Sequence, residues 1–199
     1  AQVFDKLDRM IMTSATLTTS KNFEFIKERL GCHPTEELLL DAPFDYPSQA
    51  LLYVPRDLPE PGSETVPYVE ELSDRCKELI MASGGKTFIL FTSYALLNQI
   101  YEKLDDWSLP FPLIRQGDLP TTLMIDKFKE KPSVIFGTNA FWQGVDIPGK
   151  ALQSVIITKL PFDVPKEPLT EARIEELKSQ KIRSEERRVG KECRSRWSP

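Results

Sequence analysis

The sequence predicts an α/β fold, a parallel β-sheet with helices on both faces. Three observations predict it. Several short runs are apolar without alternation: "KTFILFT" (Lys86–Thr92), "SVIFGT" (Ser133–Thr138) and "SVIITKL" (Ser154–Leu160). A strand buried on both faces reads this way, whereas a strand with one face in water alternates. Amphipathic stretches of 10 to 16 residues separate the runs, and strands alternating with helices build a parallel sheet. Helix-capping residues and glycines fall at the junctions.

In chain order, "RMIMT" (Arg9–Thr13) reads as a buried strand. "KNFEFIKERLG" follows as a helix, with Ser20 as N-cap and Gly31 as its C-terminal stop. The Pro-rich "HPTEELLLDAPFDYPSQ" can link two domains. "ALLYV" (Ala50–Val54) reads as the next strand. The stretch from Pro67 to Ala82 is the clearest helix. Pro67 suits its first turn, and Val69, Leu72, Cys76, Leu79 and Ile80 share one face. "KTFILFT" is a core strand, and Ser93 caps the helix "YALLNQIYEKL" after it. "FPLIRQ" is a strand. "PTTLMIDKFKE" is a helix turning Leu123, Met124 and Phe128 inward. "SVIFGT" and "SVIITKL" complete the core strands, and "PKEPLTEARIEELKSQ" starts a further helix.

The 199 residues suffice for one domain, or one and a part. No apolar run approaches the roughly 20 residues needed to cross a bilayer, and no signal peptide is visible. The chain lacks an initiator Met, so it reads as starting inside a longer protein. Cys32, Cys76 and Cys193 form no CxxC pair, which argues against a zinc site or a disulfide framework and for a reducing cytoplasm. The formal charge of −4 does not advertise nucleic-acid binding, so any such binding needs a local surface. The tail "RSEERRVGKECRSRWSP" (183–199) carries a net +3 and leaves −7 for the rest. It reads either as a basic nucleic-acid-binding tail or as the translation of a sequencing adapter joined to a truncated gene. The second reading is preferred.

Ligands of such sheets sit outside the carboxyl ends of the strands. This rule gathers "TSY", "GTNAFWQGVD" and the end of "ITKLPF" along one edge. "GGKT" (Gly84–Thr87) is not a phosphate-binding loop. The position five before its second glycine is Ile80, and its Lys leads into a strand instead of opening a helix. The single histidine, His33, leaves no Ser/His/Asp arrangement. Ser14 and Thr16 in "MTSATL" suit hydrogen bonding to a neighbouring site, or simple capping. Thr92 and Ser93 suit a phosphate, or an ordinary N-cap. In "FGTNAFWQGVDIPG", Thr138 and Asn139 offer small hydrogen-bonding groups at a strand end. Gly144 permits close backbone approach, and Asp146 can accept from a ribose hydroxyl. Phe141 and Trp142 either stack on bases or belong to the core.

Together, "MTSATL", "LFTSY", "FGTNAFWQGVDIPG" and "SVIITKLPFDVPKEP" resemble motifs III, IV and V, and the sequel of motif V, in DinG/XPD-type superfamily 2 helicases. The resemblance covers nearly the whole chain to about residue 180. It implies a RecA-like (P-loop NTPase-like) domain preceded by the end of another motor domain. Residues 1–45 then form the end of motor domain 1, and 46–182 most of motor domain 2. The implied enzyme is a monomeric, cytoplasmic, ATP- and Mg2+-dependent DNA helicase moving 5′ to 3′ on single-stranded DNA, with no membrane role. Walker motifs and any iron–sulfur cluster would precede residue 1, and the arginine finger would follow residue 180, so the piece itself would be inactive. By position, Ser14, Ala15 and Thr16 would couple nucleotide state to DNA grip. Thr92, Ser93, Thr138, Asn139 and Trp142 would lie on the DNA. Gly144, Asp146 and Gln143 would face the nucleotide, with no metal ligand among these residues. Many relatives carry Glu where this chain has Gln143, whose amide keeps hydrogen bonds but not charge. The competing class is a nucleic-acid-binding module without a motor role, indifferent to nucleotide. A third reading is a nucleotide-binding regulatory domain.

Overall fold

The computed structural model describes residues 9–19, 21–32, 36–59, 66–142 and 144–161, together with Glu171, Ala172 and Glu175. The chain divides into two compact units, Ala1–Val54 and Pro55–Pro199.

In the first unit, helix α1 spans Glu24–Leu30 and the one-turn α2 spans Tyr46–Gln49. Gly31 ends α1 as expected. It adopts the left-handed conformation (φ 64°), and its N–H returns to Lys27 O. The Asn22 side chain accepts from Glu24 N at the start of the helix, where the sequence suggested Ser20, which lies outside the described residues. The Lys27 ammonium donates to Glu24 at 2.5 Å and Glu37 at 2.8 Å, and these carboxylates raise its pKa.

Two expected strands do not form. Arg9–Thr13 and Ala50–Val54 are irregular, with Ile11 95% and Leu51 93% exposed. An apolar run becomes a strand only when a ladder partner satisfies its backbone and a layer covers its side chains. Neither run has such a partner among the described residues.

The second unit contains the sheet. Helix α3 (Val66–Ala82) leads to β1 (Lys86–Leu90). Then come α4 (Tyr94–Asp106), β2 (Leu113–Arg115), α5 (Thr121–Glu130), β3 (Ser133–Gly137) and β4 (Ser154–Ile157). The strand order is β2-β3-β1-β4, and every pairing is parallel. This is the RecA-like α/β arrangement, with β1 and β3 in the middle. The α3–β1 turn uses Gly84 and Gly85 at φ 63° and 78°, and no phosphate-loop geometry forms there.

Alternation along the central strands sorts the core into two layers. Ile89, Phe91, Val134 and Phe136 face α3 and α4, packing with Leu72, Cys76, Ile80, Leu97, Ile100 and Leu104. Phe88, Leu90, Ile114 and Ile135 face α5 through Met124 and Phe128. Each fully buried side chain of this size contributes about 1.5–3 kcal/mol relative to exposure. Leu123 differs from expectation. It is half exposed on α5, and Met124 takes the inward position. "SVIITKL" is also an edge strand of the described sheet and not a core strand. Register places Val155 beside Phe88 and Ile157 beside Leu90, yet both are about half exposed, because no described helix covers that side of β4. Of the helix expected from Pro165, only Glu171, Ala172 and Glu175 are described, all helical. The rest of it, and the 183–199 tail, lie outside the described residues.

Candidate functional site

The carboxyl ends of β1, β3 and β4 lie side by side because the strands are parallel and in register. Leu90 pairs with both Gly137 and Ile157. The residues that follow, Phe91–Ser93, Thr138–Trp142, Gly144–Ile147 and Thr158, form one rim.

Much of this rim is stitched internally. Phe91 N donates to Gly137 O at 2.8 Å. Thr158 sends both donors, N–H and hydroxyl, to Leu90 O at 3.1 and 2.9 Å. Its own carbonyl accepts from the buried Tyr68 hydroxyl at 3.2 Å. Desolvation raises the Tyr68 pKa and keeps the phenol protonated as a donor. Ser93 caps α4 by accepting from Leu96 N at 3.3 Å, as the sequence indicated.

The 139–147 loop is held from beneath. Asn139–Phe141 form one 3-10 turn, closed by Phe141 N donating to Thr138 O at 2.8 Å. Phe141 is buried, its ring edge-on to Phe88 at 6.0 Å. Its ring lies so close to Gly137 that a Cβ there would sit 2.7 Å from it. Trp142 packs on the same layer and donates from Nε1 to Phe91 O at 3.3 Å. Val145 and Ile147 also pack on that layer. Gly144 and Asp146 alternate with them and are exposed. Gly144 has φ 77° and open space around it.

Of the residues singled out in the sequence, this unit therefore brings together Thr92, Ser93, Thr138, Asn139, Trp142, Gly144 and Asp146. Thr92 is half buried, and its hydroxyl has no hydrogen-bond partner among the described residues. Thr138 is 5% exposed and donates from N and Oγ1 to Gln116 Oε1, at 2.5 and 3.0 Å. Gln143 lies outside the described residues. Ser14, Ala15 and Thr16 belong to the first unit. They form an exposed turn in which Ser14 Oγ accepts from Thr16 N at 3.2 Å.

Sequence reasoning missed Gln116. It ends the predicted strand "FPLIRQ", so the strand-end rule that selected the threonines would have selected it too. Tyr94, which the sequence placed on this edge within "TSY" but gave no role, accepts at its hydroxyl from Gln116 Nε2 at 3.0 Å. Arg115, next to Gln116, lies 4.7 Å over the Tyr101 ring and donates to Asp118, which raises its pKa. A groove of about 380 Å³ between β2 and α5 includes Arg115 but none of the predicted site residues. Among the described residues, no group of three or more His, Cys, Asp or Glu is placed to hold a metal. No described helix is long and apolar enough to cross a membrane.

Comparison with known proteins places this geometry. Residues 76–195 match the helicase C-terminal domain, a span that runs into the compositionally distinct tail. The chain is 38% identical over 181 residues to the ATP-dependent DNA helicase YoaA of Haemophilus influenzae, an overlap covering 90% of this chain and 28% of that protein. It is 36% identical over 167 residues to the ATP-dependent helicase DinG of Mycobacterium tuberculosis, covering 82% and 25%. It is 31% identical over 189 residues to the 3′-5′ exonuclease DinG of Bacillus subtilis, covering 87% and 20%. The chain thus spans about a quarter of the length of the curated relatives it matches. With a RecA-like parallel sheet and a family match over residues 76–195, the chain belongs to the helicase C-terminal domain family, of the DinG type.

Proposed function

We propose that the chain contributes the second motor domain of an ATP-dependent DNA helicase that moves 5′ to 3′ along single-stranded DNA as a cytoplasmic monomer. On this reading, residues 1–45 close the first motor domain and 46–182 build the second. The observation that carries it is the rim at the carboxyl ends of β1, β3 and β4. One loop there offers an open left-handed glycine and an exposed carboxylate, next to hydroxyls at neighbouring strand ends.

Gly144 and Asp146 fit one wall of a nucleotide site. Backbone can approach a ligand at Gly144, and the Asp146 carboxylate can accept from a ribose hydroxyl. ATP with Mg2+ supplies the free energy, and the phosphate cradle belongs to the other motor domain. Ser14–Thr16 would transmit nucleotide state to the DNA grip of the strand-end residues. Translocation then follows from different DNA affinities in two arrangements of the motor domains, since a ligand shifts an equilibrium only through differential binding.

The test compares the 199-residue chain with the protein encoded by its intact gene. The chain should bind oligothymidylate and hydrolyse no ATP. The intact protein should show DNA-stimulated hydrolysis, which Asp146→Ala lowers. Turnover by the pure chain, or an intact protein whose DNA binding ignores nucleotide, refutes the motor reading. The second outcome would leave a binding module whose affinity falls steeply with salt.

A further inference from the structure

Gln116 decides which groups on the rim face outward. It follows β2, and its backbone N–H donates to Phe136 O at 2.9 Å, which seats it against the end of β3. Its side-chain oxygen receives both donors of Thr138. A backbone N–H can only donate. The Gln116 oxygen must therefore face Thr138, and its amide nitrogen must face the other way. There it donates to the Tyr94 phenol oxygen. A phenol oxygen that accepts on this side directs its own proton away from Gln116. Tyr94 is the first residue of α4 and is 53% exposed. Two hydroxyls at neighbouring strand ends thus have opposite roles. That of Thr138 is spent inward, and that of Tyr94 points its proton to solvent.

We infer that Gln116 is a positioning residue that makes Tyr94, and not Thr138, a donor this rim offers to a backbone phosphate of single-stranded DNA. The inference rests on the DNA reading above and names the contact within it. Phosphate oxygens only accept, so a rim residue must bring a proton to them. Thr138 has none to give while Gln116 holds both. Its part is to fix the amide orientation.

The test uses the 199-residue chain and fluorescent oligothymidylate, with anisotropy read at several salt concentrations. Tyr94→Phe should weaken binding about tenfold, the scale of one hydrogen bond to a charged group. The salt slope should not change, because a neutral hydroxyl displaces no counterion. Thr138→Val should cost less than Tyr94→Phe, since the hydroxyl it removes donates to Gln116 and not outward. Gln116→Glu still accepts from Thr138 but cannot donate to Tyr94, so the phenol turns its proton inward to the carboxylate. In that background Tyr94→Phe should cost less than about twofold, a non-additivity that residues sharing one network show. Equal costs of Tyr94→Phe in both backgrounds, or no cost in the wild type, overturn the inference and leave DNA binding intact. A chain that binds no oligothymidylate overturns the DNA reading and this contact together. If Gln116→Glu does not fold, Tyr94→Phe against Thr138→Val decides alone. A larger loss from Thr138→Val overturns the assignment.

Discussion

Gly137→Ala places one methyl group where the structure has no room for it. The new Cβ would lie 2.7 Å from Cγ and Cδ2 of Phe141 and 2.8 Å from its Cβ. The φ of Gly137 is not in the left-handed region, so the backbone accepts alanine and the whole cost is steric. Overpacking of this kind costs about 1–3 kcal/mol. The clash is with the root of the Phe141 side chain, which a rotation about the ring axis does not relieve, and Phe88 stands edge-on at 6.0 Å. The 3-10 turn must therefore move. If it swings out, Phe141 loses its burial, worth about 1.5–3 kcal/mol. Both routes point to a loss of about 2–3 kcal/mol. With a slope of about 2 kcal/mol per molar, the urea midpoint falls by about 1 M. The assay is urea unfolding followed by tryptophan fluorescence, run in wild-type and Phe141→Leu backgrounds. With the ring removed, Gly137→Ala should cost less than about 0.5 kcal/mol, because residues in contact couple. An unchanged midpoint, or the same loss in both backgrounds, refutes the close-packing account of this loop.

Other substitutions separate local from tertiary effects. Ser93→Ala removes the α4 cap and should cost about 1 kcal/mol, whereas Ser93→Asp should restore most of it, both read from the urea midpoint. Met124→Ala should cost about 2–4 kcal/mol and Leu123→Ala under about 0.5 kcal/mol, because only Met124 is buried. Cys76 is fully buried, and burial pushes its thiol from the ordinary 9.0 up to about 12. The folded state favours the neutral thiol. That contribution is complete below the unfolded value and is lost as pH rises from 9.0 towards about 12. Cys76→Ala should therefore lose less stability than wild type between neutral and alkaline pH. At pH 8, a disulfide reagent should reach Cys76 only as fast as the domain opens.

What was legible in the sequence was what short-range physics decides. Gly31 ends its helix, Ser93 caps α4, and Pro67 sits in the first turn of α3, because each acts on backbone groups within a few residues. The two core layers were legible as well, through the unbroken apolar runs of β1 and β3. "RMIMT" and "ALLYV" look the same in composition, and "SVIITKL" carries another such run. Yet among the described strands only β1 and β3 are flanked by strands on both sides, and that is a fact about distant chain segments which no local pattern contains. Leu123 and Met124 are adjacent apolar residues on one helix, and which of them faces the sheet depends on how the helix docks.

The rim shows the same division. Small hydroxyls at strand ends located the rim in the sequence, but residue type could not say which of them are committed to the protein. The hydrogen-bond accounting does so. Thr138, Thr158 and the Trp142 indole spend their donors on Gln116, Leu90 and Phe91. Phe141 is core. Gly144 and Asp146 stay exposed because Val145 and Ile147, between and beside them, take the inward positions. A loop so anchored holds a carboxylate and an open backbone at a fixed height above the sheet. This is why aromatic and exposed polar residues occur together in one short stretch: the aromatics bind the loop to the sheet, and the glycine and aspartate are what the loop holds out.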